Sequence, residues 1–217
     1  MTIRITRMGA EGLLLDAAGG SFSEQVQSRI FAVAAALRDR PGVSEIVPGM
    51  NNLMIEADAT RLPGDAAEAL LQELWTDAPE ATTGGAEIEI PVTYGGEIAE
   101  DLDLWADHAG MTRDEAIRLH SEATYSVAAV GAMPGFGYLS GLDPRLAMRR
   151  RKVPRGKLHE GSVIIGGAQA GVMPTTAPSG WHVIGFTEVR LFDPHADDPC
   201  LFHPGDRVRF TVKDILP

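Results

Sequence analysis

Three short stretches combine residue types that ordinary helices and strands exclude. Gly131-Ala132-Met133-Pro134-Gly135-Phe136-Gly137-Tyr138-Leu139 is followed by Gly166-Gly167-Ala168-Gln169-Ala170-Gly171 and by Pro178-Ser179-Gly180-Trp181. Glycine inside a regular element costs backbone entropy, and proline removes a hydrogen-bond donor. Such backbone either makes the tight turns of a β-domain or lies close against a small molecule, with Phe136, Tyr138 and Trp181 as walls. The amides of the Gly166–Gly171 run could form an anion nest, or simply a barrel turn. Gln169 offers a donor and an acceptor together. Tyr125 and Tyr138 bring phenol groups beside apolar walls, with ordinary core packing as the alternative. Arg149-Arg150-Arg151-Lys152, with Arg155 and Lys157, is the one basic cluster, either a phosphate or carboxylate clamp or a solvated loop.

Other chemistries are disfavoured. No Gly-x-x-x-x-Gly-Lys-Ser/Thr is present, so a nucleotide would not use a P-loop. His182, His195, His203, Asp197 and Asp198 fit no metal-ligand spacing, and no metal site is expected. Cys200 is the one cysteine and reads as a buried structural thiol. The net charge of −11 argues against nucleic-acid or anionic-membrane partners. Neither a signal peptide nor a membrane span is expected, so a cytoplasmic location is the default.

The elements that must position these residues follow from the hydrophobic pattern. Ile3 to Arg7 and Gly12 to Asp16 read as strands. Phe22, Val26, Ile30, Val33 and Leu37 share one helical face, with Ser23 as cap and Pro41-Gly42 as stop. Val43 to Val47 and Leu53 to Ala57 are strands joined by the turn Pro48-Gly49-Met50-Asn51-Asn52. A second helix opens at Asp65, with Glu68 completing a capping box, and buries Leu70, Leu71, Leu74 and Trp75. Ala81-Thr82-Thr83-Gly84-Gly85 reads as a linker between an α+β domain over 1–84 and a second domain over 85–217. In that second domain, Glu87 to Val92 is a strand and Asp101 to His108 a helix. A further helix opens at the capping box Thr112-Arg113-Asp114-Glu115 and runs to Glu122, with His120 near its end, where a protonated imidazole would favour the helix dipole. Strands are expected at Val163 to Gly166, His182 to Gly185, Glu188 to Phe192 and Arg207 to Val212, the last after the turn Pro204-Gly205-Asp206. Many short strands argue for a barrel or sandwich, and the whole for an α+β protein.

The order of motifs resembles a known family. Pro48-Gly49-Met50-Asn51-Asn52, Ile90-Pro91-Val92-Thr93-Tyr94-Gly95-Gly96, Leu119-His120, Tyr125-Ser126-Val127 and Pro134-Gly135-Phe136-Gly137-Tyr138-Leu139 occur in sequence. They are followed by Leu142-Asp143-Pro144-Arg145-Leu146, Gly161-Ser162-Val163, Gly167, Gln169, Gly171, Pro178, Gly180-Trp181, Leu191-Phe192-Asp193-Pro194 and Pro204-Gly205-Asp206. This arrangement is similar to the KipI/PxpB family, whose members are called the B subunit of 5-oxoprolinase, kinase inhibitor KipI or allophanate hydrolase subunit 1. The same module is part of the carboxyltransferase domain of urea carboxylase. The resemblance implies a small N-terminal α/β domain and a C-terminal cyclophilin-like β-barrel. It also implies a KipA/PxpC-type partner, a PxpA-type partner, and ATP with Mg2+ spent in opening 5-oxoproline to glutamate. On the family motifs, His120 and Tyr125 are the catalytic candidates. Pro134, Gly135, Phe136, Tyr138, Gly167, Gln169, Gly171, Gly180 and Trp181 are the substrate- or nucleotide-binding candidates.

The chain departs from that family at its expected pocket. Ala132 stands where an aromatic is usual, Ala170 where threonine is, Met173 where tyrosine is, and Ser179 where a second glycine is. Leu158-His159-Glu160 replaces Val-Pro-Ala. A changed substrate or a binding-only role is therefore an open alternative, as is a KipI-like inhibitor of a sensor histidine kinase. A biotin-dependent carboxyltransferase module would need a carrier that this chain lacks. No Ser-Ser-Lys amidase signature supports allophanate hydrolysis, and a cyclophilin-like barrel does not of itself imply prolyl isomerisation.

Overall fold

The computed structural model describes residues 3–79 and 85–217. Contacts divide the chain into two units, Met1–Gly84 and Gly85–Pro217. The linker expected at 81–85 lies, apart from Gly85, outside the described residues.

In the first unit, β1 (Arg4–Met8), β2 (Gly12–Asp16), β4 (Asn52–Ala57) and β3 (Val43–Gly49) form an antiparallel sheet in that order. Alternate residues Leu13, Leu15, Leu53 and Ile55 are buried, as a period of two demands for a one-sided sheet. Against them pack α1 (Glu24–Leu37), through Val26, Ile30, Val33 and Leu37, and α2 (Gly64–Asp77), through Ala67, Leu71 and Trp75. The Ser23 hydroxyl caps α1 by accepting from the Val26 amide. The capping box expected in α2 does not form. Pro63 holds the N-cap position, which moves Asp65 into the first turn, and Asp65 and Glu68 bind Arg7 instead. Leu70 and Leu74 are only partly buried.

The Pro48–Asn52 motif is a clamp. Asn51 adopts φ 55° and is 2% exposed. Its amide donates to Gln27 Oε1 (2.7 Å), its Nδ2 to the Ser23 carbonyl (2.8 Å), and its Oδ1 accepts from the Ser23 amide (2.7 Å). An asparagine is suited to this position because it tolerates the left-handed region and carries both donor and acceptor.

The second unit is a closed barrel in the order β10-β7-β6-β13-β5-β12-β9. Its strands are β5 (Glu87–Tyr94), β6 (Thr124–Val130), β7 (Gly137–Ser140), β9 (Ser162–Gly166), β10 (Gln169–Val172), β12 (His182–Phe186) and β13 (Arg207–Ile215). β8 (Arg155–Leu158) and β11 (Ala177–Ser179) form a separate ribbon. β13 runs parallel to β5, and the other barrel pairs are antiparallel. α3 (Leu102–Ala109) and α4 (Arg113–Glu122) contribute Trp105, Ala106, Ala116 and Ile117 to the barrel's core. The capping box at Thr112 and Glu115 is fully formed. Glu188 to Phe192, expected as a strand, is irregular. The Thr187 hydroxyl accepts from the Val189 amide and turns the chain away, and Phe192 makes one isolated bridge, to Cys200. Cys200 itself is half-buried rather than buried.

Candidate functional site

The glycine-rich stretches resolve into turns and packing surfaces. Met133-Pro134-Gly135-Phe136 closes with the Phe136 amide donating to the Met133 carbonyl (3.1 Å), and Gly135 has φ 81°. Proline second and a left-handed glycine third is the pattern of a type II turn, here joining β6 to β7. Gly167 (φ 67°) and Ala168 join β9 to β10. The Gly167 amide donates to the Met148 carbonyl (2.7 Å), so it is not available to an anion nest. The other glycines leave room for rings. A Cβ on Gly166 would meet Trp181 at 2.3 Å, and one on Gly171 would meet Phe136 at 3.1 Å.

Phe136, Tyr138 and Trp181 come together as the sequence suggested. Phe136 lies edge-on to Tyr138 (5.0 Å between centroids) and to Trp181 (5.7 Å), and Tyr138 is 6.2 Å from Trp181. Leu158, Ile164, Met173 and Val183 pack with them in a cluster distinct from the barrel's main core. Pro134 and Gly180 border it as exposed or half-buried turn residues, and Gln169 opens β10 opposite Gly166. Two departures from the family fall on this packing. Met173 is inside the cluster, and the Ser179 hydroxyl accepts from the Trp181 amide (3.2 Å). Ala170 is wholly buried opposite Leu139, and Ala132 is exposed with φ 65°.

The basic segment runs along this cluster and divides in two. Arg151 and Arg155 converge on Asp101, which is held nearly out of solvent at the N-cap position of α3. Arg155 donates to both carboxylate oxygens (2.7 and 2.9 Å), Arg151 to Oδ1 (3.2 Å), and the Val183 amide to Oδ2 (2.8 Å). Burial pushes the Asp101 pKa up, but the bonds from Arg155 and Val183 outweigh it, and the carboxyl lies below its usual range. Sequence reasoning missed Asp101. In the run Glu97–Asp103 it looks like one more solvated acid, and its partners lie fifty or more residues away. Arg149, Arg150, Lys152 and Lys157 are exposed, and the Arg150 guanidinium lies 5.2 Å from the Trp181 ring centroid.

His120 and Tyr125 lie elsewhere. His120 is wholly buried in the main core, stacked on Phe210 (4.5 Å) with Tyr94, Trp105 and Tyr125 around it. Its Nδ1 pairs with the Tyr94 hydroxyl (2.8 Å), and the Tyr125 hydroxyl donates to the His120 carbonyl (3.0 Å). Burial drives its pKa down to about 3, so the ring is neutral, and Nε2 has no partner among the described residues. Burial likewise raises both tyrosines. A proton shuttle must reach its substrate, and in this chain both side chains are closed off from solvent. The ring faces the core rather than solvent at the helix end, so its placement does not support a protonated imidazole capping the helix dipole.

Among the described residues, no group of three or more His, Cys, Asp or Glu side chains is arranged to hold a metal ion. No helix is long and apolar enough to cross a membrane.

The carboxyltransferase domain family, subdomain C and D, matches residues 3–202. A protein of Escherichia coli O157:H7, named as the B subunit of 5-oxoprolinase, is 44% identical over 186 residues, covering 85% of each chain. The crystal structure of TTHA0988 superposes with a TM-score of 0.80 at 33% identity, over 100% of this chain but only 41% of that one. The Kluyveromyces lactis urea carboxylase shares the fold, with a TM-score of 0.77 at 18% identity, over 99% of this chain and 22% of that one. Fold and coverage together define a carboxyltransferase-domain C and D module. The chain belongs to the KipI/PxpB family.

Proposed function

We propose that this chain is a non-autonomous subunit of an ATP-dependent 5-oxoprolinase, acting with a KipA/PxpC-type and a PxpA-type subunit to open 5-oxoproline, or a related cyclic amide, to glutamate. The observation that carries this reading is the match along 85% of each chain to a relative named as a subunit of that enzyme. The lactam is a resonance-stabilised amide in an unstrained ring, so opening it quickly at neutral pH needs coupling to ATP. Ring opening consumes one water and ATP hydrolysis a second, giving glutamate, ADP and phosphate. The Gly167 amide is occupied, and among the described residues no three or more His, Cys, Asp or Glu side chains are grouped to hold a metal ion. In this reading the other subunits supply the nucleotide and the acid–base group, and this chain binds and orients substrate at the Phe136–Tyr138–Trp181 cluster. Partner dependence also suits a module that spans 41% of TTHA0988, whose longer chain carries further structure.

The test is release of glutamate and ADP from 5-oxoproline and ATP by the three co-expressed proteins. Product should disappear when this chain is omitted. An assembled complex that turns over neither 5-oxoproline nor other lactams would overturn the enzyme reading in favour of a binding-only role.

A further inference from the structure

We propose that Arg150, held over Trp181 and flanked by Arg149 and Lys152, is a carboxylate clamp, and that this chain recognises a small ring carrying a carboxylate rather than a nucleotide. The lactam identity of that ring rests on the function proposed above; the clamp does not.

Arg150 is fixed from both sides. His182 Nε2 lies 3.0 Å from the Arg149 carbonyl and donates to it, and the Arg151 amide donates to the Gly180 carbonyl (2.7 Å). These two bonds straddle Arg150 and register it on the residue between Gly180 and His182, which is Trp181. The neighbouring Asp101 pairs tie down Arg151 and Arg155 and hold the basic segment in place. Beneath, Trp181 rests on the bare backbone of Gly166, which no larger residue would permit. An arginine stacked on an indole keeps its edge N–H groups free, pre-oriented for a bidentate acceptor.

Three features point to a ligand. Arg149, Arg150 and Lys152 make no ion pair with described residues, in a chain with thirty acids against nineteen bases. The Trp181 indole N–H has no hydrogen-bond partner among the described residues and reaches solvent, although the residue is only 5% exposed. The half-buried Tyr138, 6.2 Å away, has a hydroxyl in the same condition. Both donors are therefore open to a molecule arriving from solvent while their rings are packed. A cation with two neutral donors beside it suits a single carboxylate and a carbonyl oxygen. It suits a polyphosphate poorly, because the amide of Gly167 is already taken.

Calorimetry on the intact chain tests this with 5-oxoproline, 2-pyrrolidinone (the same lactam without a carboxylate) and inorganic phosphate. 5-Oxoproline should bind, and 2-pyrrolidinone at least about tenfold more weakly, the usual worth of a charged hydrogen-bonded contact. Arg150→Ala should weaken 5-oxoproline by about tenfold, and Trp181→Phe, which keeps a ring but removes the N–H, by severalfold. Phosphate should not compete. No binding by the wild type, equal binding of both lactams, or an unchanged Kd in Arg150→Ala would each overturn the clamp, as would displacement by phosphate. In the assembled enzyme, turnover with an unchanged KM in Arg150→Ala would sink the clamp and leave the proposed function standing. Arg150-dependent carboxylate binding without any turnover would do the reverse.

Discussion

His120 shows how a wholly buried group carries a pH signature. Its folded pKa lies near 3, against 6.5 for a free imidazole. Above pH 6.5 both folded and unfolded chains hold it neutral, and it adds no pH dependence. Below that, the unfolded chain takes up a proton that the folded chain refuses. Stability should therefore fall by up to roughly 1.4 kcal/mol per pH unit from about pH 6 toward pH 3, beyond what the carboxylates impose. His120→Phe keeps the stack on Phe210 but strands the Tyr94 hydroxyl, which costs about 1–3 kcal/mol at all pH values. Urea midpoints measured across that pH range should then lose the histidine's share of the slope. An undiminished slope would show that His120 titrates normally and reaches solvent. At this scale the sequence was partly legible. The aromatic trio was visible because Phe136, Tyr138 and Trp181 sit among glycines, and glycines leave space for rings. The role of His120 was not, because helix position alone does not say that its side chain faces Tyr94, Trp105 and Phe210.

At the scale of elements, two features hold the candidate site, and each makes a prediction. The first is the bare face of β9. A methyl at Gly166 would stand 2.3 Å from the Trp181 ring, so Gly166→Ala must move that ring off the sheet. The expected cost is about 1–3 kcal/mol, as for other overpacked cores. Near-UV circular dichroism should change with it and carboxylate binding should be lost. An unshifted Tm would mean that the strand yields instead of the ring. The second is Asp101, which binds the start of α3 to β12 and to the Arg151–Arg155 segment. Asp101→Asn leaves Arg151 without its anion and Arg155 with the exposed Glu100 (3.3 Å) in place of a two-oxygen pair, both arginines being less than one-third exposed, and should destabilise by about 3 kcal/mol. Arg155→Lys should recover less than half of the Arg155 contact, because an ammonium cannot reach both carboxylate oxygens. Local signals read these elements well wherever the determinants were local. Ser23 and Thr112 cap as expected, and Pro134-Gly135 turns as its types demand. The reading failed where a distant contact decided. Arg7 drew Asp65 and Glu68 away from a capping box; at Glu188–Phe192 the signal was local but went unread, the Thr187 hydroxyl accepting from the Val189 amide and turning the chain out of the barrel.

For the whole molecule, the relevant fact is that its hydrophobic interior comes in separate parts. The core of the sheet and its two helices draws every buried member from Leu13 to Trp75. The barrel's main core runs from Ile90 to Phe210, and the Phe136–Trp181 cluster lies within the same span. A domain whose apolar residues find all their partners inside one stretch of chain has what it needs to fold alone. The barrel closes on itself through β10 and β9, so it leaves no sheet edge that would need the first unit to cover it. All of the Asp101 and Arg150 contacts fall within residues 85–217 as well. A fragment of residues 85–217 should therefore unfold cooperatively and bind 5-oxoproline within about threefold of the full chain, since that difference is below 1 kcal/mol. Thermal melts and calorimetry on the fragment decide the matter. A folded fragment that has lost the ligand would place part of the site on residues 1–84. An unfolded one would show that the barrel depends on the first unit despite its closed sheet. Independent folding would show that the barrel's own contacts suffice for its stability. It would also assign the first unit a task other than holding this ligand, with contact to a partner protein the next thing to measure.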